Sequence, residues 1–160
     1  MTKNMESPSH KLSLEIAGFL QKLLSEGHGV INIFTGVKSD GQQFICFLSP
    51  LELGRIDKLD FMIEVLRLED CKLFAHSTRF VNEENIETLT IFAGGESEYW
   101  SLDFQVNDSD LILLSKRHAD NPENFFQELF KPDGSGSPNA PQLLDLWRKV
   151  RSQIMWRDWQ

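Results

Sequence analysis

The chain has 160 residues, of which 41% are hydrophobic, and its formal net charge is −8. This length and hydrophobic content predict one domain with a buried core. The negative charge argues against binding to nucleic acid or to an anionic membrane surface, since both depend on clustered Lys and Arg. The sequence shows neither an apolar run of about 18 residues nor the apolar core of a signal peptide, so we expect a cytoplasmic protein without a membrane span.

The cysteines and histidines predict neither a disulfide framework nor a metal site. Cys46 and Cys71 are too few for a framework, and we expect both to be reduced. Cys71 follows Glu69-Asp70 at the end of a predicted helix, where negative charge raises the pKa of a thiol and disfavours a nucleophile. The histidines are far apart and lack metal-site spacing: His10, His28, His76 and His118. We expect no metal and no cofactor.

The first predicted element is an amphipathic helix. Ser7-Pro8 marks its start, because proline is tolerated in the first turn, and Gly27 marks its end. Between them, apolar residues recur at helical spacing: Leu12, Ile16, Phe19, Leu20 and Leu23. One face of this helix should therefore pack on the core.

Two β-rich runs and a second helix come next. Residues 29–37 and 43–48 predict strands joined by a turn that contains Asp40-Gly41. Both strands are apolar on both sides, so we expect them at the centre of a sheet with both faces covered. Ser49-Pro50-Leu51-Glu52 is typical of a capping box and predicts a helix that runs to about Glu69. Its predicted apolar face is Ile56, Leu59, Met62, Ile63 and Leu66.

A strand at Lys72–Val81 and a hairpin at Glu87–Val106 follow. Gly94-Gly95 is expected to supply the positive φ of the hairpin turn. Side chains in a strand alternate between two faces, and the pattern predicts one buried face: Leu89, Ile91, Ala93, Trp100, Leu102, Phe104 and Val106. The opposite, mainly polar face has Thr88, Thr90, Phe92, Tyr99, Ser101, Asp103 and Gln105.

The remainder of the chain predicts mainly helices. Leu111–Leu114 fits a short edge strand, and Asn121-Pro122 starts a third helix that Pro132 ends. Residues 132–141 are rich in Pro, Gly and Ser and predict a flexible linker. Gln142–Gln160 predicts a C-terminal helix with three of the four tryptophans: Trp147, Trp156 and Trp159. The predicted divisions are an α+β domain at 1–131, the linker at 132–141 and a tryptophan-rich helix at 142–160.

The element order predicts an α+β fold with a single, mainly antiparallel sheet. The order is α-ββ-α-βββ-α-α, with about five strands and helices packed on them. This order is similar to that of profilin-like, PAS-like and roadblock-type domains over residues 9–131. The middle section is also similar to a nuclear-transport-factor-like cone, which implies a pocket between sheet and helix. The resemblance lies in element order alone and carries over no functional residue.

The sequence favours a non-catalytic protein-interaction module over an enzyme. Small size, acidic charge, a polar sheet face with aromatic residues and a tryptophan-rich tail are typical of a regulator, adaptor, chaperone or inhibitor. The partner would be another protein or a second copy of the chain, as a homodimer. The predicted binding residues are Phe92, Tyr99, Ser101, Asp103, Gln105, Trp147, Trp156 and Trp159.

Two alternatives stay open. The protein could instead bind a small ligand, or be an enzyme, with a pocket between sheet and helices, in which Asp103 or His76 would exchange protons. The C-terminal helix could pack on its own chain to complete the core, exchange with a second copy as a swapped arm, or dock on a partner.

Overall fold

The computed structural model describes residues 7–29, 31–48, 55–95, 98–120 and 139–159. Within these ranges the chain forms three helices and one antiparallel sheet of seven strands. In chain order the elements are α1 (Pro8–Ser25), β1 (Ile33–Lys38), β2 (Gln42–Phe47), α2 (Arg55–Leu68), β3 (Cys71–Val81), β4 (Glu87–Gly95), β5 (Glu98–Asn107), β6 (Asp110–Asp120), α3 (Ala140–Val150) and β7 (Met155–Asp158). The predicted α+β fold on one antiparallel sheet is confirmed, but the prediction of about five strands is wrong.

The strand order is β6-β5-β4-β3-β1-β2-β7. Residues of β1 and β2 are buried almost throughout, on both sides of the sheet. The prediction that both faces of these strands are covered is therefore confirmed, but the strands are fifth and sixth in the order of seven rather than at the centre of the sheet. None of the described helices is both long and apolar enough to cross a membrane.

Helix α1 covers one side of the sheet, which we call the first face. Ser7 caps the helix by accepting a hydrogen bond from the backbone N–H of His10 at 3.3 Å, and Gly27 follows its end with a φ of 91°. The core between α1 and the sheet consists mainly of Leu12, Ile16, Leu20, Ile33, Val37, Ile45, Leu89, Ile91, Leu102 and Phe104. The predicted α1 and its apolar face are confirmed.

Helices α2 and α3 cover part of the opposite side, which we call the second face. Their core contains Phe34, Phe44, Cys46, Phe61, Met62, Val65, Leu66, Phe74, Leu143 and Trp147. The predicted apolar face of α2 is partly wrong, because Phe61 and Val65 are buried whereas Leu59 is 39% exposed. The capping box at residues 49–52 and the third predicted helix, from residue 121, lie outside the described residues.

Gly94 and Gly95 do not form the hairpin turn. Both lie within β4, where Gly94 pairs with Tyr99 of β5 and Gly95 pairs with Leu73 of β3. A Cβ atom on Gly95 would lie 3.0 Å from Cδ2 of Leu73 and 3.3 Å from the carbonyl oxygen of Lys72. Glycine at this position therefore permits close packing of β3 on β4. The connection itself, residues 96–97, lies outside the described residues.

Strand β6 is much longer than the predicted Leu111–Leu114 segment. It pairs with β5 from Asp110 to Asp120, with a bulge opposite Asp103 and Phe104. Its second half lacks an apolar alternation, because this strand lies at the edge of the sheet in the described part of the chain and most of its side chains are exposed. Backbone pairing with β5 does not need apolar side chains.

The C-terminal region is a helix and a strand, rather than one helix over 142–160. Helix α3 ends at Val150, and β7 pairs with β2, so that Trp156 lies opposite Phe44. The open edge of β2 supplies backbone hydrogen-bond partners that a longer helix would leave unpaired. Residues 132–138, the first seven residues of the predicted linker, lie outside the described residues.

Candidate functional site

The second face of β3–β6 extends beyond α2 and carries rows of polar side chains. The strand register aligns His76, Phe92, Ser101 and Arg117 in one row. We use the name platform for the side chains on this part of the face: His76, Thr78, Phe80, Thr88, Thr90, Phe92, Ser101, Asp103, Gln105, Ser115 and Arg117. The platform is the polar face that the alternation in the hairpin predicts.

Asp103 is the centre of the polar network on the platform. Its carboxylate accepts hydrogen bonds from Thr90 Oγ1 at 2.7 Å, Ser115 Oγ at 2.8 Å and Arg117 Nη2 at 3.3 Å. Burial alone would raise the pKa of Asp103, but these hydrogen bonds and the charge of Arg117 outweigh burial and lower it. The carboxylate is therefore ionised at neutral pH and already surrounded by donors.

His76 lies in the next row, away from this carboxylate network. Its imidazole stacks on Phe92 with ring centroids 5.3 Å apart. Burial lowers its pKa to about 4, so the ring is neutral at pH 7. Ser101, which follows Phe92 in the same row, is buried beneath Arg117, whose Nη2 lies 3.4 Å from the hydroxyl. Ser101 lies on the predicted polar face, but its side chain is buried rather than exposed to solvent.

A cleft of about 650 Å³ separates α2 from the platform. Lys58, Leu59 and Met62 of α2 form one wall. The lining residues from the sheet and its loops are Asn32, Leu48, His76, Ser77, Thr78, Phe80, Thr90, Phe92 and Arg117. Apolar and aromatic surface with a few polar groups is typical of a binding site.

The structure brings together some of the predicted binding residues and separates others. Phe92, Ser101 and Asp103 lie in neighbouring rows of the platform, with Gln105 one row further along. Tyr99 is half-buried beside the core under α2 and α3. The three C-terminal tryptophans do not join the platform.

Each of these tryptophans has a separate contact within the chain. Trp147 is fully buried and donates its Nε1–H to Glu69 Oε2 at 2.7 Å, and Arg151 Nε donates to the same oxygen at 3.0 Å. Trp156 packs on Phe44, with ring centroids 5.6 Å apart. Trp159 packs against the core on the first face. α3 and β7 thus complete the core of their own chain in this structure.

Glu15 of α1 fixes the end of the described chain on the first face. Its carboxylate accepts hydrogen bonds from Gln43 Nε2 at 2.8 Å, Arg157 Nη2 at 2.6 Å and Trp159 Nε1 at 3.0 Å. Glu69 holds α3 and Glu15 holds β7, so one carboxylate on each side of the sheet attaches the C-terminal region.

A second polar cluster lies on the first face, where α1 begins. Trp100 stacks against His10 with ring centroids 4.1 Å apart, and the ring of His118 is tilted against Trp100 at 4.4 Å. Nε2 of His118 lies 2.9 Å from Glu98 Oε2, and Ser9 Oγ donates to Glu98 Oε1 at 2.8 Å. Burial raises the pKa of Glu98, but the hydrogen bonds from serines and His118 together have the larger, opposite effect. The pKa of Glu98 therefore lies below its usual value.

This cluster attaches α1 to β5 and β6. No group of three or more metal-ligating side chains is present in the part of the chain that the structure describes. Burial raises the pKa of both Cys46 and Cys71 to about 12, which disfavours the thiolate form that a nucleophile needs.

Sequence reasoning missed Lys58 and Arg117, the two charged residues that line the cleft in the described part of the chain. Arg117 lies in the half of β6 that was not predicted as a strand, and continued pairing there would have placed it beside Ser101. Lys58 belongs to α2, whose buried face in the structure is rotated about the helix axis relative to the predicted apolar face. The apolar pattern of the sequence therefore did not place Lys58 beside the sheet.

Comparisons with known proteins assign no function to this site, so its function is argued from its geometry. No family model, no curated protein sequence and no solved structure matches the chain.

Proposed function

We propose that the protein is a non-catalytic interaction module that binds a protein partner through the platform and the adjoining cleft. The observation that carries this proposal is an accessible sheet face on which polar groups pair with one another while aromatic surface is exposed. Phe80 is 62% exposed, and Ile112 at the edge of the same face is 45% exposed. Exposed aromatic and apolar surface surrounded by polar groups is typical of protein-binding sites.

The polar chemistry of the platform supports binding rather than proton transfer. A general acid or base needs a pKa near the working pH and a free position beside the substrate. Asp103 has a lowered pKa and accepts three hydrogen bonds, and His76 has a pKa of about 4. Neither group is suited to exchange protons near pH 7.

A photo-crosslinking experiment tests the proposal in cells that produce the full chain. A benzophenone amino acid replaces Thr78, which is exposed on the platform, or Leu14, which is exposed on α1 and serves as the control. We expect a discrete protein adduct from position 78 only. The same adduct should disappear when Phe80→Arg is added, a change that an exposed side chain tolerates in folding.

Two outcomes would count against a platform partner. One is the same adduct from positions 78 and 14, because it would reflect contact without a defined surface. The other is an adduct from position 78 that persists with Phe80→Arg. An adduct with the mass of two chains would identify the partner as a second copy.

A small ligand in the cleft is the second candidate function. Its support is the volume of about 650 Å³, which is within the range of roughly 300–1,000 Å³ that is usual for ligand pockets. Native mass spectrometry of the purified chain tests it. A bound mass that is retained by the wild type and lost in Phe92→Ala, with the fold intact by circular dichroism, would favour the small ligand.

A further inference from the structure

We infer that the cleft takes an extended partner segment that carries both apolar side chains and carboxylates. This inference rests on the proposed function, because it names the chemistry of the partner that the cleft would recognise. It is carried by the charge of the lining, which is opposite in sign to the charge of the chain.

The chain has 24 Asp and Glu residues against 16 Lys and Arg. Among the residues that the structure describes, no Asp or Glu lines the cleft, and the two charged lining residues, Lys58 and Arg117, are both cationic. They stand on different elements, α2 and β6. A ligand that spans the cleft would therefore meet one positive charge at each side.

Both cations can serve a ligand. Lys58 makes no ion pair with any described carboxylate. Arg117 is 64% exposed, and its hydrogen bonds to Ser101 and Asp103 are long, at 3.4 and 3.3 Å, and use Nη2 alone. The guanidinium has further N–H donors for a carboxylate of the partner. Asp103 offsets the charge of Arg117 in part, whereas none of the described lining residues is an acidic group that would offset Lys58.

Between the two cations, the cleft offers apolar contact. Its lining includes Leu59 and Met62 of α2 and Phe80 and Phe92 of the sheet. Apolar side chains of a bound segment would gain from this surface, while carboxylates beside them would reach the cations. A nucleic acid fits less well, because its continuous phosphate charge would be repelled by the net charge of −8.

Synthetic peptides of fixed apolar content test the inference. The probes are fluorescein-labelled Gly-Ser-(Leu-Glu-Phe-Glu)₂-Ser-Gly and two analogues, in which Gln or Lys replaces Glu. Binding to the full chain is measured by fluorescence anisotropy at low and high salt. We expect the Glu probe to bind about tenfold more tightly than the Gln probe, the Lys probe to bind most weakly, and salt to reduce the difference.

Variants assign this preference to the two cations. Lys58→Gln and Arg117→Gln should each weaken the Glu probe several-fold and leave the Gln probe unchanged, whereas Arg117→Lys should retain most of the preference. Lys72→Gln is the matched control, because Lys72 is exposed and does not line the cleft. Loss of binding in Lys72→Gln equal to that in Lys58→Gln would overturn the inference, since it would show a general charge effect.

Other results separate this inference from the proposed function. If all three probes bound equally and Phe92→Ala abolished this binding, the platform would remain a binding site. The preference for acidic segments would be overturned. No binding of any probe, together with no adduct at position 78, would overturn both. A peptide of residues 121–131 is also tested as a competitor. If it displaced the labelled Glu probe more strongly than the unlabelled Glu peptide does, this chain itself would be the occupant, and the inference of a foreign partner would be overturned.

Discussion

Trp147 attaches helix α3 to the rest of the molecule through a hydrogen bond as well as through its buried ring. Trp147→Phe retains an aromatic ring but removes the Nε1–H donor to Glu69, a carboxylate that is only 7% exposed. Loss of a donor to a buried charged group costs about 1–3 kcal/mol. We expect the free energy of unfolding, measured in urea, to fall by this amount.

Trp156→Phe is the matched control for this substitution. Its Nε1–H donates to the backbone carbonyl of Arg151 at an exposed position, where water can replace it. The loss should be less than about 1 kcal/mol. Equal losses in the two variants would show that Glu69 does not depend on Trp147.

His76 gives the fold a measurable dependence on pH. Burial lowers its pKa from 6.5 to about 4. Between these values the unfolded chain binds a proton that the folded chain does not, so the stability falls as the pH is lowered from 6.5. The contribution is at most about 1.4 kcal/mol per pH unit.

His76→Phe removes the imidazole that binds this proton and preserves the stacking on Phe92. Urea unfolding of the two proteins at several pH values between 4 and 7 measures the difference. We expect the wild type to lose stability relative to the variant as the pH falls through this window. Parallel curves for the two proteins would show that His76 titrates normally in the folded state.

At the scale of elements, β7 covers the edge of β2. A chain ended at Ile154 loses the β2–β7 pairing and both contacts of Glu15 with this region, from Arg157 and Trp159. We expect a loss of about 2–4 kcal/mol and concentration-dependent association through the uncovered edge. Urea unfolding and light scattering measure the two effects.

The control for this truncation is a chain ended at Trp159, which retains every described contact of β7. It should match the full chain in stability and in mass. A chain ended at Ile154 that also matched them would show that β7 contributes nothing to the fold.

The elements that the sequence predicted are those with a local signal. Helix α1 has a cap, an apolar stripe and a terminal glycine, and β1 and β2 are apolar runs bounded by a turn. Strand β7 has no such signal, because its pairing with β2 joins residues as far apart as Gln42 and Asp158. The apolar residues of α3 also repeat at helical spacing, and that repeat extended the predicted helix beyond Val150.

The candidate site was predictable to the same extent. Alternation in one hairpin placed Phe92, Ser101 and Asp103 on a common face, because a strand has a period of two residues. Lys58 and Arg117 come from a helix and an edge strand that meet only through the sheet. Their proximity depends on the strand order and on the rotation of α2, neither of which a local pattern contains.

For the whole molecule, the acidic charge predicts no useful affinity for nucleic acid. The chain has a net charge of −8, and clustered positive charge is needed to release counterions from phosphates. In a mobility-shift assay at low salt we expect no shift of single- or double-stranded DNA or RNA at micromolar protein. A micromolar or tighter complex would contradict this expectation.

The pairing of β2 with β7 also sets an order of events during synthesis. A ribosome makes the chain from its N-terminus, so β2 leaves the exit tunnel more than 100 residues before the strand that covers its edge. During that interval β1, β2 and β3 can assemble while the β2 edge stays open to any extended chain nearby. At rates of about 5–20 residues per second, the exposure lasts roughly 5–20 seconds, and neighbouring nascent chains on one messenger RNA are among the strands that this edge would meet.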